Sequence, residues 1–413
     1  MKPTVLIAAT KRWFPTARLA MALSNAGFTI EAVCLSNHPL EKTSVVRRIY
    51  GYDGFAPVTS FANAIAASAP ALIVPADEYA VFCLHRLFYQ SRDRGDEGKK
   101  ICALIEESLG PEQTFGAVQH RAPLMKLAAE ESIRAPRTAV VTDKAELRKC
   151  CEQLLFPIVL KADGTSSGEG VRVARTPEEA ERFFRALQAP PSALRAMKRA
   201  LIDQDVRLIL PTLLRQRNTV NAQEFIPGDD ATSLAACWKG KVLASLHFEV
   251  IKKQHKNGPA SVMRRIEIPE MSAAIVKIVG RLKLSGLYGF DFLLERETRD
   301  PYLIEMNPRP TQVGHLTLGP GCDLPAALYA ELTGTQIQEA PKLTNDDTIA
   351  LFPQEWMRNP SSAFLRSAYH DIPWEEPELI RVGARNSRNW SAWYNTKKWA
   401  ALLLADRVPP GNE

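Results

Sequence analysis

Two carboxylates at a fixed spacing, Asp291 and Glu305, are the residues of this sequence best placed to do chemistry together. They lie in two apolar runs, 289–295 and 302–306, and the polar segment between the runs predicts a β-hairpin. With the turn centred on Thr298, the two carboxylates face each other across the strand pair, where they repel unless a cation sits between them. Oxygen ligands of this kind are typical of Mg²⁺ sites.

The second strand of this hairpin carries two more polar side chains. Asn307 lies two residues beyond Glu305 and therefore on the same face of an extended chain, and Arg309 takes the next position on that face. Carboxylates, an amide oxygen and a guanidinium on one face suit a metal-bound polyphosphate. Taken alone, the hairpin also fits a solvated charged turn with an ion pair, so the rest of the chain has to decide.

A second informative stretch, FPIVLKADGTSSGEGVRVA, predicts a strand, a Gly/Ser/Thr loop and another strand. Lys161 ends the first strand, and the loop at 163–170 follows it. Backbone N–H groups in such a loop can cradle phosphates, and Lys161 would place a positive charge on them. The loop does not match the GxxxxGK[ST] pattern, so it is not a P-loop. A mobile hairpin tip is the alternative interpretation.

The first quarter of the chain predicts strands that alternate with helices. Strands at 5–9, 29–35 and 71–74, with a helix at 16–26, indicate a parallel sheet with helical crossovers. The loop after the first strand has no GxGxxG pattern, so a Rossmann-type dinucleotide site lacks its main sequence support.

Charged residues follow two of these strands, at the edge where open α/β sheets bind ligands. Lys11, Arg12 and Arg18 either meet an anionic group there or are ordinary surface charges. Asp77 and Glu78 follow the third predicted strand, and a structural role at a helix N-terminus is favoured over binding of a substrate amine.

Further along, a stretch with Pro and Gly at 111–120 predicts a boundary between lobes. A helix at 124–134 carries Lys126, which without context is an ordinary solvated lysine. A strand predicted at 221–226 is followed by the sequence Pro-Gly-Asp-Asp at 227–230. The basic loop at 252–259, KKQHKNGP, either contacts an anionic ligand or is simply solvated.

Composition limits the classes of protein to consider. A chain of 413 residues exceeds what one hydrophobic core usually holds, so two or three lobes are expected. The net charge of +6 comes from dispersed Lys and Arg, and no nucleic-acid-binding pattern is present. Seven scattered cysteines without a CxxC pair indicate a reducing, cytoplasmic setting. The N-terminal apolar run is too short for a signal peptide, and no run approaches the roughly 20 apolar residues that span a membrane.

Near the C-terminus, Trp390, Trp393 and Tyr394 recur at helical spacing. A face of this kind usually packs onto its own protein, which is favoured over an interfacial membrane helix or a partner site.

Lys126, Lys161 with its Gly/Ser loop, QEFIPGDD and GFDF…EMNPRP occur in one order, and this ordered set resembles the ATP-grasp superfamily, including biotin carboxylase, carbamoyl-phosphate synthetase and the D-alanine ligase type. The resemblance implies a fold of mixed α/β and α+β class. It predicts a pre-ATP-grasp parallel α/β lobe at 1–115, an ATP-grasp fold of two α+β subdomains clasping ATP at 116–335, and a small C-terminal extension at 336–413.

The resemblance also implies which residues would bind ATP. Lys126 and Lys161 would contact its phosphates. The loop that closes over them would include Thr165, Ser166, Ser167 and Gly168. The adenosine would be bound by Gln223, Glu224, Phe225, Ile226 and, at the ribose, Asp230. Gln223 departs from the pattern because many members have Glu there, which leaves the base preference less certain.

For the metal, the resemblance implies that Asp291, Glu305 and Asn307 would hold Mg²⁺, with two ions expected and Mn²⁺ as a substitute. Some members have Glu where this chain has Asp291, and the shorter side chain is a ligand of the same kind. Arg309 would act catalytically, together with Lys161, and would stabilise either the transferring phosphate or the tetrahedral intermediate.

The implied activity is that of an ATP-dependent ligase, which joins a small carboxylate to an amine or thiol through an acyl phosphate and releases ADP and phosphate. One alternative is a carboxylase that forms carboxyphosphate, although the sequence has no Met-Lys-Met biotinyl segment. The other is a nucleotide-binding regulator without catalysis. Neither nucleic acid nor a membrane span is expected, and a homodimer is compatible with the family.

Overall fold

The computed structural model describes residues 2–163, 170–202, 205–256, 258–338 and 340–385. The chain starts with a parallel sheet in the order β3-β2-β1-β4. Its strands are β1 (Thr4–Ala8), β2 (Thr29–Cys34), β3 (Val46–Gly51) and β4 (Leu72–Pro75), and its helices are α1 (Phe14–Asn25), α2 (Pro57–Ser68), α3 (Glu78–Ser91) and α4 (Gly95–Leu109). The predicted parallel sheet is confirmed. Strand β3 escaped prediction because it lies at the edge and exposes most of its polar side chains.

A second, antiparallel sheet of order β5-β8-β6-β7 follows and is called the small sheet. Its segment contains α5 (Phe115–Gln119), α6 (Arg121–Glu130), β5 (Thr138–Val141), α7 (Lys144–Gln153), β6 (Ile158–Ala162), β7 (Val171–Ala174), α8 (Pro177–Gln188), α9 (Ala193–Ile202), α10 (Ile209–Leu213) and β8 (Val220–Glu224). Asp143 and Thr176 cap α7 and α8, as the capping-box patterns predict.

The third sheet, called the large sheet, has the order β13-β12-β9-β10-β11-β14-β15. Its segment contains β9 (Gly228–Trp238), β10 (Lys241–Lys253), β11 (Ala260–Arg265), α11 (Pro269–Leu282), β12 (Gly286–Glu295), β13 (Pro301–Asn307), α12 (Leu324–Thr333), β14 (Thr348–Leu351), α13 (Gln354–Arg358), α14 (Phe364–Ser367), β15 (Tyr369–Asp371) and α15 (Pro377–Arg385). Strand β14 pairs with β11, so the large sheet continues beyond residue 335. The domain boundaries at 115 and 335 stay predictions, and the Trp-rich stretch from 389 lies outside the described residues.

The hydrophobic cores show which parts of the molecule are firmly joined. Val5 and Ile7 of the N-terminal sheet share one buried cluster with Leu234 and Leu246 of the large sheet. The small sheet has a separate core, built around residues such as Leu160. Elements that share a core keep their relative positions, whereas units with separate cores can move against each other. The N-terminal lobe and the large sheet therefore form one platform that faces the small sheet.

Candidate active site

The predicted hairpin is present, and its register places the two carboxylates opposite each other. Asp291 on β12 pairs with Glu305 on β13. The next pair toward the turn is Phe292 with Leu303, so Ile304 is an extra residue on β13. Such a β-bulge re-aims the side chains around it. Without the extra residue, Asp291 would face Ile304, so the bulge brings the carboxylates into register.

Asp291 is held by two donors in a poorly hydrated position. The Thr232 hydroxyl donates to one carboxylate oxygen at 2.8 Å, and the Asn307 amide donates to the other at 2.9 Å. Burial, followed by the negative charge of Glu305, raises the pKa of Asp291 from 3.8 to about 6. A carboxylate destabilised in this way gains free energy when a cation arrives between it and its neighbour.

Glu305 is joined to the small sheet by a single guanidinium. Arg121, the first residue of α6, donates to Glu305 at 2.9 Å and to Asp163 at 3.2 Å. Asp163 directly follows β6 and also accepts from the Asn221 amide at 2.9 Å. Arg121 is almost fully buried, yet its Nε has no hydrogen-bond partner in the structure. This arginine therefore spans the cleft between the two sheets.

One face of the small sheet presents polar side chains to the cleft. Lys161 on β6 pairs with Asn221 on β8, so their side chains share a face, and Gln223 lies two residues further along β8. All three are buried. The Asn221 Oδ1 atom is buried without a hydrogen-bond partner, whereas the Gln223 amide donates to the Thr138 hydroxyl at 2.9 Å. Buried polar groups with spare hydrogen-bonding capacity are typical of a ligand site.

Lys161 is the most strongly perturbed cation of the cleft. Burial and the positive charge of Arg121 lower its pKa from 10.5 to about 8, although the carboxylates of Glu305, Asp291 and Asp230 act in the opposite direction. The Lys161 side chain is therefore near enough to the predicted metal ligands to feel their charge. A dehydrated ammonium group that is not fully neutralised by carboxylates is suited to bind phosphate.

Arg309 connects the hairpin to the N-terminal lobe. Its Nε and Nη2 atoms donate to one oxygen of Glu78 at 2.9 and 2.7 Å, and its guanidinium lies 5.0 Å from the ring centroid of Trp13. Burial alone would raise the pKa of Glu78, but the charges of Arg309 and Lys11 lower it to about 2. The negative charge of Asp291 also acts to raise the pKa of Arg309, so the Arg309 guanidinium lies near the hairpin that carries Asp291 and Glu305.

The contacts of Arg309 lie where the connections of the N-terminal sheet change direction. The chain leaves β1 toward β2, whereas β4 adds to the other side of β1. Ligands bind outside the carboxyl ends of strands at such a switch point. Asp77 caps α3 there, which agrees with its predicted structural role. Arg18 is instead buried in an ion pair with Asp371 at 2.5 Å, so it is neither a surface charge nor part of this edge.

The residues predicted to bind adenosine lie together at the end of β8 and the start of β9. Glu224 pairs with Arg137 at 3.3 Å, and Ile226 is buried while Phe225 remains partly exposed. Asp230 pairs with Lys253 at 2.6 Å, which brings the basic loop against the predicted ribose position. Their roles in nucleotide binding stay predictions.

Lys126 is not brought to this site. Its side chain is 80% exposed and lies near Glu130, in a surface cavity lined by Arg281 and Lys283. Arg121 lies five residues earlier, and five helical steps of 100° place the two side chains on different faces of α6. Of these two basic side chains of α6, it is Arg121 that lies in the cleft.

Four residues predicted to close over the phosphates lie outside the described residues: Thr165, Ser166, Ser167 and Gly168. Sequence reasoning also missed Arg121, Asn221 and Asp163. The sequence predicts that the helix with Lys126 begins after Pro123, which leaves Arg121 outside the helix. Asn221 flanks Lys161 only after the strands pair, whereas Asp163 lies two residues after Lys161 and this spacing was the available signal.

The described residues contain no group of three or more His, Cys, Asp or Glu that could hold a metal ion by itself. A cation between Asp291 and Glu305 would therefore need further ligands from Asn307, phosphate or water. That mixed set is typical of Mg²⁺, which usually binds through one or two carboxylates plus phosphates.

Two family models match adjacent parts of the chain. Residues 119–207 match a RimK-like ATP-grasp domain, and residues 211–313 match an ATP-grasp domain. The chain carries an ATP-grasp domain. The matches span the small sheet and the hairpin, which are the two sides of the cleft described above.

Solved structures show the same ATP-grasp fold. Carboxyaminoimidazole ribonucleotide synthase from Aspergillus clavatus, complexed with ATP, superposes with a TM-score of 0.57 at 13% identity, covering 82% of this chain and 78% of that one. The biotin carboxylase domain of 2-oxoglutarate carboxylase from Hydrogenobacter thermophilus, complexed with MgADP and bicarbonate, has a TM-score of 0.55 at 15% identity and covers 82% and 71%.

Curated relatives of the ATP-grasp domain are more similar in sequence. Formate-dependent phosphoribosylglycinamide formyltransferase from Ignicoccus hospitalis is 27% identical over 208 residues, which are 48% of this chain and 46% of that protein. Acetyl-CoA carboxylase 2 from Oryza sativa subsp. japonica is 25% identical over 50% of this chain and 8% of that protein. The chain thus spans about half the length of the first of these relatives and a small part of the second.

Proposed function

We propose that this chain is an ATP- and Mg²⁺-dependent ligase, which joins a carboxylate to an amine or thiol through an acyl phosphate and releases ADP and phosphate. The observation that carries the proposal is the pairing of Asp291 with Glu305 across the bulged hairpin. Arg121, on a helix that packs against β13, contacts Glu305, and Lys161 faces the pair from the small sheet. Two carboxylates and two cations around one cleft suit a nucleotide polyphosphate with a bound cation.

The residues of the hairpin fit a magnesium site. Asp291 and Glu305, with Asn307 beside them, would hold one or two Mg²⁺ ions, and Mn²⁺ would substitute for Mg²⁺. The raised pKa of Asp291 supports this assignment, because the strain between two nearby carboxylates is relieved by a cation. When bound, the metal would neutralise charge on the phosphoryl oxygens of ATP.

The phosphates would be bound by side chains from both sheets. Arg121 would exchange its carboxylate partners for phosphate oxygens, which its bidentate guanidinium fits equally well. Lys161 would add a second positive charge from the small sheet. Gln223 to Ile226 would bind the adenine and Asp230 the ribose, as the family resemblance implies.

Arg309 is held ready for the transferred phosphate. Its contacts with Glu78 and Trp13 fix the guanidinium before any ligand binds, so little ordering is required during the reaction. The acid substrate would approach along the switch point of the N-terminal sheet, beside these residues. Movement of the small sheet, which has its own core, would close the cleft and exclude water from the acyl phosphate.

The chemistry of a ligase follows from the poor reactivity of carboxylates. An amine does not displace oxide from a carboxylate, whereas phosphate is a good leaving group. Transfer of the γ-phosphoryl group to the acid therefore makes an acyl phosphate. The amine then forms the new C–N bond as the C–O bond to phosphate breaks and the amine loses a proton. The sum is one ATP consumed, with ADP and phosphate released.

A carboxylase that forms carboxyphosphate is the second candidate, and one observation favours it. Several of the structural neighbours are N5-carboxyaminoimidazole ribonucleotide synthetases, and another was solved with bicarbonate. Bicarbonate would then take the place of the organic acid. A nucleotide-binding regulator without catalysis is less well supported, because both metal carboxylates and Lys161 are present.

The cellular compartment and the oligomeric state of the protein are part of the same proposal. No helix among the described residues has the length and apolarity to cross a bilayer. All seven cysteines are free, which supports a reducing, cytoplasmic environment. A homodimer is proposed from the family resemblance.

The test is release of ADP from ATP and Mg²⁺ in the presence of pooled carboxylates and pooled amines, followed by mass analysis of the product. Turnover that needs one acid and one amine supports the ligase. Turnover that needs bicarbonate supports the carboxylase. ATP binding without ADP release in every pool contradicts both and favours the regulator, with Glu305→Gln as the inactive control.

A further inference from the structure

A large apolar surface is exposed on the helix pair α9 and α10. Helix α9 buries its small side chains, Ala196 and Ala200, while its large side chains point outward. Five large side chains of the pair, together with Leu214 directly after α10, are at least 56% exposed, whereas Ile209 is 36% exposed. We call this set the α9–α10 surface: Leu194, Met197, Leu201, Leu210, Leu213 and Leu214.

These side chains belong to one continuous region. Leu194, Met197 and Leu201 are spaced by three and four residues, so they form one stripe along α9. Helix α10 packs directly against α9 and adds three more leucines. A folded monomer rarely exposes more than a few hundred Å² of contiguous apolar surface without a functional reason. A partner is therefore expected to cover this surface.

The charges around the α9–α10 surface are positive. Lys198 lies within the same helix, and Arg215 and Arg217 directly follow α10, and all three are exposed. Among the described residues of segment 189–217, the acid is Asp205, which is buried and neutralised by Arg199 at 2.5 Å and by Arg207 at 2.6 Å. In the sequence, segment 189–217 has six Lys or Arg and two acids, Asp203 and Asp205, so its net charge is positive and complements an anionic partner.

This charge argues against two occupants from the chain itself. A symmetric dimer would place each patch against its own copy, and Lys198, Arg215 and Arg217 would repel their counterparts. The Trp-rich C-terminal stretch from 386 to 413 has four Lys or Arg and two acidic residues in its sequence, so it is also cationic. Neither supplies the negative charge.

We propose that the α9–α10 surface docks on an anionic lipid bilayer. The leucines and Met197 would enter the boundary between headgroups and acyl chains, while Lys198, Arg215 and Arg217 would meet the headgroup phosphates. A fluid bilayer adapts its shape to a protein surface, so it needs no preformed groove to cover the helix pair.

The docked position would also orient the active site. The Arg207 guanidinium lies 4.5 Å from the ring centroid of Tyr79, at the start of α3 in the N-terminal lobe. This contact ties the helix pair to the edge where the substrate would approach. Docking would therefore hold the substrate entrance close to the lipid surface.

Co-flotation of the full chain with vesicles tests the proposal. We expect the protein to float with vesicles of phosphatidylcholine that contain phosphatidylglycerol, and much less with phosphatidylcholine alone. Leu201→Asp combined with Leu213→Asp should abolish flotation. Lys198→Glu combined with Arg215→Glu should lower the partition coefficient by at least about fivefold for each removed cation, equivalent to about 1 kcal/mol each.

Leu155→Asp is the matched control, because Leu155 is 75% exposed and lies outside the α9–α10 surface. It should float like the wild type. Unchanged ATP binding by all variants shows that they are folded. Failure of the wild type to float with anionic vesicles overturns the proposal and leaves an acidic protein as the partner. A dimer in light scattering that the leucine variants dissociate also overturns it, since the surface would then bind a second copy.

Discussion

The Nη2 atom of Arg121 lies 2.9 Å from Glu305, and its Nη1 atom lies 3.2 Å from Asp163, so one guanidinium joins two separate sheets. Glu305 belongs to the large sheet, whereas Asp163 follows a strand of the small sheet. In the free protein, the arginine offsets part of the negative charge of both carboxylates. Phosphate would compete for the same guanidinium and release Glu305 to a metal ion. On the proposed function, Arg121 would therefore couple nucleotide binding to formation of the metal site.

Replacement of Arg121 by alanine is expected to lower kcat/KM for ATP by about 100-fold, because a charge-assisted bidentate contact with phosphate is lost. Steady-state ADP release measures the effect. Lys126→Ala is the matched control on the same helix. Its side chain is exposed in a different cavity, so activity should stay within about threefold of the wild type. Equal losses in the two variants would show that the cleft is assigned wrongly.

Glu305→Gln should reduce turnover by at least about 100-fold, because the amide keeps the size of the side chain but removes the negative charge that binds the metal. The fold should change little, since the Glu305 side chain is 41% exposed. Calorimetric melting separates the two effects. A variant that turns over at a near-normal rate would rule out Glu305 as a metal ligand.

The sequence predicted the fold and the hairpin because both depend on local patterns. Alternating apolar runs and the polar turn give the strand pair around Asp291 and Glu305 without knowledge of distant contacts. The bulge at Ile304 was not predicted, although it sets the final register. A single extra residue leaves no clear trace in an apolar run, so the correct pairing was reached by counting from Thr298.

The rest of the site depends on contacts between distant segments. Arg121 is separated by 184 residues from Glu305, and only the packing of α6 against β13 brings them together. The sequence analysis named Lys126 and not Arg121 because the predicted helix begins at residue 124, whereas α6 begins at Arg121. The partly buried contact between Arg309 and Glu78 could not be predicted from the sequence either, since neither residue is unusual within its own segment.

Metal binding should depend on pH through Asp291. Its pKa is raised to about 6 in the free protein, so the carboxyl group is protonated below that pH and cannot bind a cation. The affinity for Mn²⁺ should therefore fall by about tenfold for each pH unit below 6 and level off above it. Titrations followed by electron paramagnetic resonance measure this affinity. Asp291→Asn should bind weakly at every pH, and an inflection that persists in this variant would assign the titration to another group.

ATP binding should weaken at alkaline pH because of Lys161. Its pKa is lowered to about 8, so the ammonium group loses its proton and its charge as the pH rises through 8. The affinity for ATP measured by calorimetry should fall by up to about tenfold for each pH unit above that value. Lys161→Arg keeps its charge in this range and should show no such fall. A flat profile in the wild type would mean that Lys161 does not contact the phosphates.

The central claim is that Asp291 and Glu305 together hold the metal of bound ATP. A crystal structure with ADP and Mn²⁺, with the metal located by anomalous scattering, tests it most directly. We expect an anomalous peak between the two carboxylates, about 2.1 Å from an oxygen of each, with Arg121 moved from Glu305 to the phosphates. A nucleotide bound elsewhere, or a metal peak away from this pair with the contact between Arg121 and Glu305 intact, would contradict the claim.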